Sequence, residues 1–260
     1  MSQHVRKLET ALGAPLLVRH ARGCAPTAEG MEFVPYAESL LRLNDRALTA
    51  FRGRRIAIGA SSNIGIYYLP PYLKSYLNET AGEHPVDVSI HPNPAIADML
   101  DVGEIDVAAM EWWDERPGCI ARVWRREELV AIVPSDHPWT ELPHVSRALL
   151  KGAPILGGEP GTGTGRLLAR YFGDEMREIK VTARLGSTEA VKQAVTAGLG
   201  VSLVLAGTVA AECRAGVLAA VPLEGERPSK DLYIVCRESV TPESPSRRFA
   251  EWLISRRASN

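Results

Sequence analysis

From residue 56 onward short apolar runs alternate with amphipathic ones, and no other feature of the sequence constrains the fold as tightly. Strand-like runs cover residues 56–60, 86–91, 105–110, 129–134, 154–156, 181–185, 201–205 and 232–236. Helical patterns fill several of the gaps, at 72–77, 95–102, 146–150, 166–172, 189–197 and 246–256. Strands that alternate with helices build a mainly parallel sheet with helices on both faces. At 260 residues the chain exceeds a typical domain of about 150, so this stretch is read as two α/β units with a change near Val133-Pro134. The last strand and helix return to the first unit. That places a first lobe at 54–133 plus 232–260 and a second at 134–231.

The first 55 residues are built differently. Val5, Leu8 and Leu12 recur at the spacing of one helical face, and Gly13 is a natural stop. Residues 14–26 read as two short extended pieces around Arg22-Gly23, and Thr27 opens a long helical pattern carrying Phe33, Ala37, Leu40, Leu41, Leu43, Leu48 and Phe51. Charge divides at the same place. Residues 1–55 hold nine Lys/Arg against five Asp/Glu, whereas the rest hold 21 against 26, hidden within a net charge of −1. A basic end on an acidic body suits a nucleic-acid arm on a separate module.

A hydrophobic fraction of 45% with 23% charged residues excludes disorder, collagen or coiled coil as descriptions of the whole. Cys24, Cys119, Cys213 and Cys236 lie far apart, with neither metal spacing nor a disulfide framework. The opening MSQHVRKLE has no apolar core of a signal peptide, and no apolar run is long enough for a bilayer. A cytoplasmic protein with no membrane partner is expected.

Polar side chains recur where strands hand over to helices. Ser61-Ser62-Asn63 follows the strand at 56–60, Asn93-Pro94 that at 86–91, and Ser187-Thr188 that at 181–185. A glycine-rich stretch with Thr162 and Thr164 follows the strand at 154–156. It lacks the GK[ST] of a P-loop, and Arg166 stands where a dinucleotide fingerprint needs glycine. Each of these residues can cap a helix or hold a carboxylate or other anion. Together they would converge at the carboxyl ends of the strands, where doubly wound folds bind ligands. Trp112-Trp113 would wall a pocket or pack between domains. No GxSxG, HExxH or Ser/His/Asp spacing marks a catalytic set, and no metal or cofactor motif is present.

Taken in order, these segments resemble the LysR-type transcriptional regulators. Ser2, Val5, Arg6, Leu8, Glu9, Leu12, Gly13, Pro15, Leu16, Leu17, Arg19, Thr27 and Gly30 fall on that family's recognition-helix and wing pattern. A second block runs from Ile58-Gly59-Ala60 to Leu69-Pro70-Pro71-Tyr72-Leu73. A third comprises Asn93, Ile96, Leu100, Gly103 and Ile105-Asp106, with Pro92 where the family has glycine. Glu159-Pro160-Gly161-Thr162-Gly163-Thr164 and Gly186-Ser187-Thr188-Glu189-Ala190-Val191-Lys192, with Gly198-Leu199-Gly200-Val201 after it, resemble two more.

The resemblance implies a two-lobed, periplasmic-binding-protein-like α/β effector domain over 54–260, made of two doubly wound subdomains. Ahead of it come a partial winged helix-turn-helix at 1–26 and a linker and dimerisation helix at 27–53. The family has two further helices before the recognition helix, so the expectation is a start-site error or a truncation. On that reading residues 1–260 bind DNA poorly and the full-length form binds a promoter. Ser2, Gln3, His4 and Arg6 would face base edges, with Lys7, Arg19 and Arg22 on phosphates. A homodimer or homotetramer is implied. So is a small anionic or carboxylate effector held by Ser61, Ser62, Asn93, Thr162, Thr164, Ser187 and Thr188. The competing readings are a two-lobed solute-binding protein without DNA binding and an enzyme on the same scaffold.

Overall fold

The computed structural model describes residues 3–20, 23–53, 55–157 and 163–256. The chain divides into two compact units, Met1–Gly53 and Arg54–Asn260.

The first unit comprises α1 (Gln3–Leu12), the hairpin β1 (Leu17–His20) and β2 (Gly23–Pro26), and α2 (Ala28–Gly53). Gly13 ends α1 in the left-handed region, as the sequence requires. The Glu9 carboxylate then accepts from the Leu16 and Leu17 N–H groups at 2.8 and 3.2 Å, tying α1 to the hairpin. Thr27 caps α2 by accepting from the Gly30 N–H at 2.9 Å, and its own hydroxyl donates to the Pro15 carbonyl. A side chain at position 30 would stand 2.1 Å from the Leu16 carbonyl oxygen, so the hairpin can lie this close only to glycine. No residue of α1 is buried, and Leu8 and Leu12 are exposed. Met31, Tyr36, Leu40, Leu41 and Leu48 of α2 are exposed as well. Pro35 sits inside α2 without ending it.

The second unit runs β3 (Ile56–Ala60), α3 (Leu69–Glu79), β4 (Val86–Ile90), α4 (Asn93–Asp101), β5 (Val107–Met110) and β6 (Cys119–Pro134). It continues with α5 (Arg147–Gly152), β7 (Ile155–Gly157), α6 (Gly163–Phe172), β8 (Val181–Arg184), α7 (Thr188–Thr196) and β9 (Val201–Leu205). Then come α8 (Ala210–Arg214), β10 (Leu218–Pro222), β11 (Ser229–Arg237) and α9 (Pro245–Ser255). The strand order is β4-β3-β5-β11-β6-β9-β7-β8, with β10 on the free side of β6. Each lobe repeats one plan, in which the first strand lies between the second and third, all parallel. These are β4-β3-β5 in the first lobe and β8-β7-β9 in the second.

Two strands join the lobes. β6 pairs with β11 from Cys119 to Glu128 and with β9 from Leu129 to Ile132, without a break between. β11 returns from Ser229 and pairs on its other side with β5. β6 therefore passes from the partners of one lobe to those of the other at Glu128-Leu129, partway along a single strand. The fully buried Trp124 is the extra residue of a bulge opposite Leu232 and Tyr233. The main core gathers Ile56, Ile58, Trp124, Phe172, Phe249 and Leu253. Ser146, Ser187 and Ser244 each cap a helix by accepting from an N–H three residues on.

Candidate functional site

In each lobe the chain leaves the central strand for a neighbour on one side and then crosses over to pair on its other side, a reversal of strand order that leaves a crevice at the carboxyl end. β3 ends in Ser61-Ser62-Asn63, and the chain then winds through a π-helical turn at Ile64–Tyr68. That turn stands just ahead of Pro70 and Pro71, two residues with no N–H to continue an α ladder. A cavity of about 280 Å³ opens where this end of the first lobe faces the second. Its polar lining comprises Ser62, Asn63, Thr164, Arg184, Thr188 and Ser202.

A chain of polar contacts crosses the cleft beside it. The Thr188 hydroxyl of the second lobe donates to Asn63 Oδ1 at 2.8 Å, and Asn63 Nδ2 donates to Glu111 Oε1 at 2.9 Å. The other oxygen of Glu111 holds the Lys230 ammonium, which also reaches Thr164 Oγ1 at 3.5 Å. Glu111 and Lys230 are almost wholly buried, with side chains 3% and 10% exposed. Burial holds Lys230 below the ordinary lysine range, while the Glu111 carboxylate pulls the other way.

More contacts flank the cleft. The Tyr67 hydroxyl donates to Glu189 Oε2 at 3.0 Å, and the Lys192 ammonium lies 4.3 Å from the Tyr67 ring. Burial pushes the Tyr67 phenol up to about 12, with Lys192 acting against it. Tyr68 donates to Glu127 Oε2 at 3.1 Å, and its ring lies against Gly207, where a Cβ would stand 2.2 Å away. Arg166 stacks on Trp112 at 4.7 Å and pairs with Asp114 at 3.6 Å. Trp112 thus contributes an inter-lobe contact, while Trp113 packs against the Ile96, Leu100 and Ile105 cluster of the first lobe.

Of the seven expected effector contacts, the structure brings Ser62, Thr164 and Thr188 to the cavity wall. Three others lie elsewhere. Ser61 is buried with its hydroxyl unpaired and does not line the cavity. The Asn93 amide is spent on backbone, accepting from the Glu111 N–H at 3.0 Å and donating to the Trp112 carbonyl at 2.7 Å. That clamp sets the position of Glu111. Ser187 caps α7 through the Ala190 N–H at 3.1 Å. Thr162 lies outside the described residues. Ser187→Ala is expected to cost about 1 kcal/mol of stability with ligand affinity unchanged, readable by parallel denaturation and titration. Glu111, Ser202 and Lys230 were not singled out by the sequence, and Asn63 was named at the strand end but left out of the expected contacts. Nothing local marks Glu111 or Lys230.

In the first unit Gln3, His4, Arg6 and Lys7 share the exposed helix α1. Arg19 lies on β1, its side chain outside the described residues, as are Ser2 and Arg22 altogether. Among the described residues no three His, Cys, Asp or Glu side chains gather as a metal site, and no helix is long and apolar enough to cross a membrane.

Residues 50–258 match the family described as the LysR substrate binding domain, and residues 1–31 match the bacterial regulatory helix-turn-helix protein, lysR family. The PtxE protein of Stutzerimonas stutzeri, assigned as an HTH-type transcriptional regulator, is 45% identical over 164 residues, or 63% of this chain and 84% of PtxE. A RuBisCO operon transcriptional regulator of Allochromatium vinosum is 26% identical over 99% of this chain and 87% of its own. The crystal structure of CbnR, a LysR family transcriptional regulator, superposes with a TM-score of 0.73 at 20% identity, covering 99% of this chain and 89% of CbnR. The Synechocystis CcmR regulatory domain, solved with 2-PG, gives 0.68 at 20% identity over 79% of this chain and 98% of that one. The two-lobed α/β unit and the helix–hairpin–helix ahead of it thus agree with both family matches, and the chain belongs to the LysR-type transcriptional regulators.

Proposed function

We propose that the cleft between the lobes senses a small metabolite bearing an acidic group, and that its occupancy alters how the protein engages promoter DNA. The observation that carries the reading is the single cavity on which Ser62, Asn63, Thr164 and Thr188 converge from both lobes. A ligand that bonds to both walls favours the arrangement it binds best, and so shifts the population of lobe geometries. The co-complex of the CcmR domain with 2-PG makes a small acid the natural first class to test. On this reading the protein is no enzyme, needs no cofactor and works in the cytoplasm as a homodimer or homotetramer. The exposed apolar residues of α2 supply the pairing face. Gln3, His4 and Arg6 read base edges, with Ser2 beside them, while Lys7, Arg19 and Arg22 hold phosphates.

Calorimetric titration with small carboxylates and phosphorylated acids, paired with gel shifts on the upstream promoter, tests the reading. Thr188→Ala removes one donor and also frees Asn63. It is expected to weaken a bound acid by roughly tenfold or more and to weaken its effect on the gel shift in step. Unchanged affinity in Thr188→Ala and Thr164→Ala together would contradict the assignment of the cleft.

A further inference from the structure

The cavity has two chemically different ends. Its outer end is the hydroxyl and amide set at the lobe boundary. Its inner end runs into the second lobe between α6, the turn after it and the sheet, where Leu168, Phe172, Met176, Ile179 and Val181 form the wall. Leu168, Met176 and Ile179 pack against the main core and stay only partly buried. A cavity wall of this kind holds water poorly, because a buried water needs two to four polar partners. About 280 Å³ is also more than a hydroxyl-lined anion cup needs. A cavity of about 150 Å³ takes up benzene, so the space here suits a ring or branched chain plus a head group.

The charges limit that head group. Lys230 stands behind Thr164 and is already neutralised by Glu111. Arg184 is the one cationic side chain among the described residues that lines the cavity. One negative charge finds hydroxyl donors and the Arg184 guanidinium, whereas a second would find no further cation, because Lys230 is already paired with Glu111.

Resting on the assignment of the cleft as the effector site, we infer that the effector is an amphiphilic monoacid. Its carboxylate lies among Ser62, Thr164 and Thr188, and an aromatic or branched aliphatic body of about six to nine carbons lies between Leu168, Phe172 and Met176.

The test is calorimetry on the full chain with acetate, 4-methylpentanoate, 3-phenylpropanoate, 3-phenylpropanol and 2-phosphoglycolate. Affinity is expected to rise on the order of a hundredfold from acetate to 3-phenylpropanoate as apolar surface is buried, and to fall at least about tenfold when the acid becomes the alcohol. Leu168→Trp fills the inner end. It is expected to cost 3-phenylpropanoate at least about tenfold and to leave acetate unchanged, with Met176→Trp as the replacement should Leu168→Trp unfold. If 2-phosphoglycolate binds tightest and Leu168→Trp does not weaken it, the effector is a polar anion; the inference falls and the cleft assignment stands. If no probe binds, or if binding ignores Thr188→Ala and Leu168→Trp alike, the cleft assignment falls with it.

Discussion

Lys230→Met is expected to destabilise the second unit by about 3–5 kcal/mol, the cost of leaving a buried charge without its partner. Glu111 is 3% exposed, and one of its oxygens faces Lys230. Its other oxygen accepts from Asn63, which cannot neutralise it. Adding Glu111→Gln removes the charge and keeps an acceptor for Asn63, so the double variant is expected to recover at least about 2 kcal/mol of the loss. Urea unfolding of the single and double variants reads both numbers. A cost below about 1 kcal/mol for Lys230→Met would mean that the pair behaves as a surface ion pair. The consequence reaches the cleft, because Lys230, Glu111, Asn63, Thr188 and Thr164 form one connected set.

Gly200→Ala is the second large effect. A methyl group there would lie 2.2 Å from the Pro154 carbonyl oxygen, a backbone atom with no rotamer to escape into. That oxygen accepts the Val201 N–H at 3.0 Å, the contact that opens the pairing of β9 with β7. Separating the strands also pulls at the Ser202 hydroxyl, which donates to the Leu156 carbonyl at 2.6 Å from inside the cavity wall. A cost of about 3 kcal/mol or more is expected in denaturant unfolding. Gly152→Ala is the control. It stands at the end of α5 with open space around it and is expected to be neutral or to stabilise by about 0.5 kcal/mol. Similar midpoints for the two variants would refute the steric account.

How much of this could be read beforehand follows from burial. Residues 201–205 were legible as a strand because every one is buried, which writes the strand as a continuous apolar run. The first ten residues of β6 were not. They carry Arg122, Arg125, Arg126, Glu127 and Glu128, of which Arg122 pairs with Glu251 and Arg126 with Asp231. Charged partners on the outer face erase the apolar run while leaving the backbone pairing intact. β10 was hidden for another reason, since a short alanine-containing strand at one side of β6 has little pattern to show. At the site, Ser62, Thr164 and Thr188 were legible because strand ends are where such folds bind. Asn93 matched the same rule and serves the backbone instead. Glu111 and Lys230 are 119 residues apart and owe their pairing to the return of β11, which no local spacing encodes.

The unbroken course of β6 restricts how one lobe can move against the other. Sixteen residues of extended chain measure roughly 50 Å, and neighbours bond to this strand on one side in the first lobe and on both sides in the second. Any reorientation of one lobe against the other must therefore be stored as torsion near Glu128-Leu129, with a matching torsion where β11 returns. Because β6 changes ladder partners at that point, a rotation there leaves the ladder of each lobe whole. A rotation of that kind is small at the cleft and displaces atoms further the farther they lie from it.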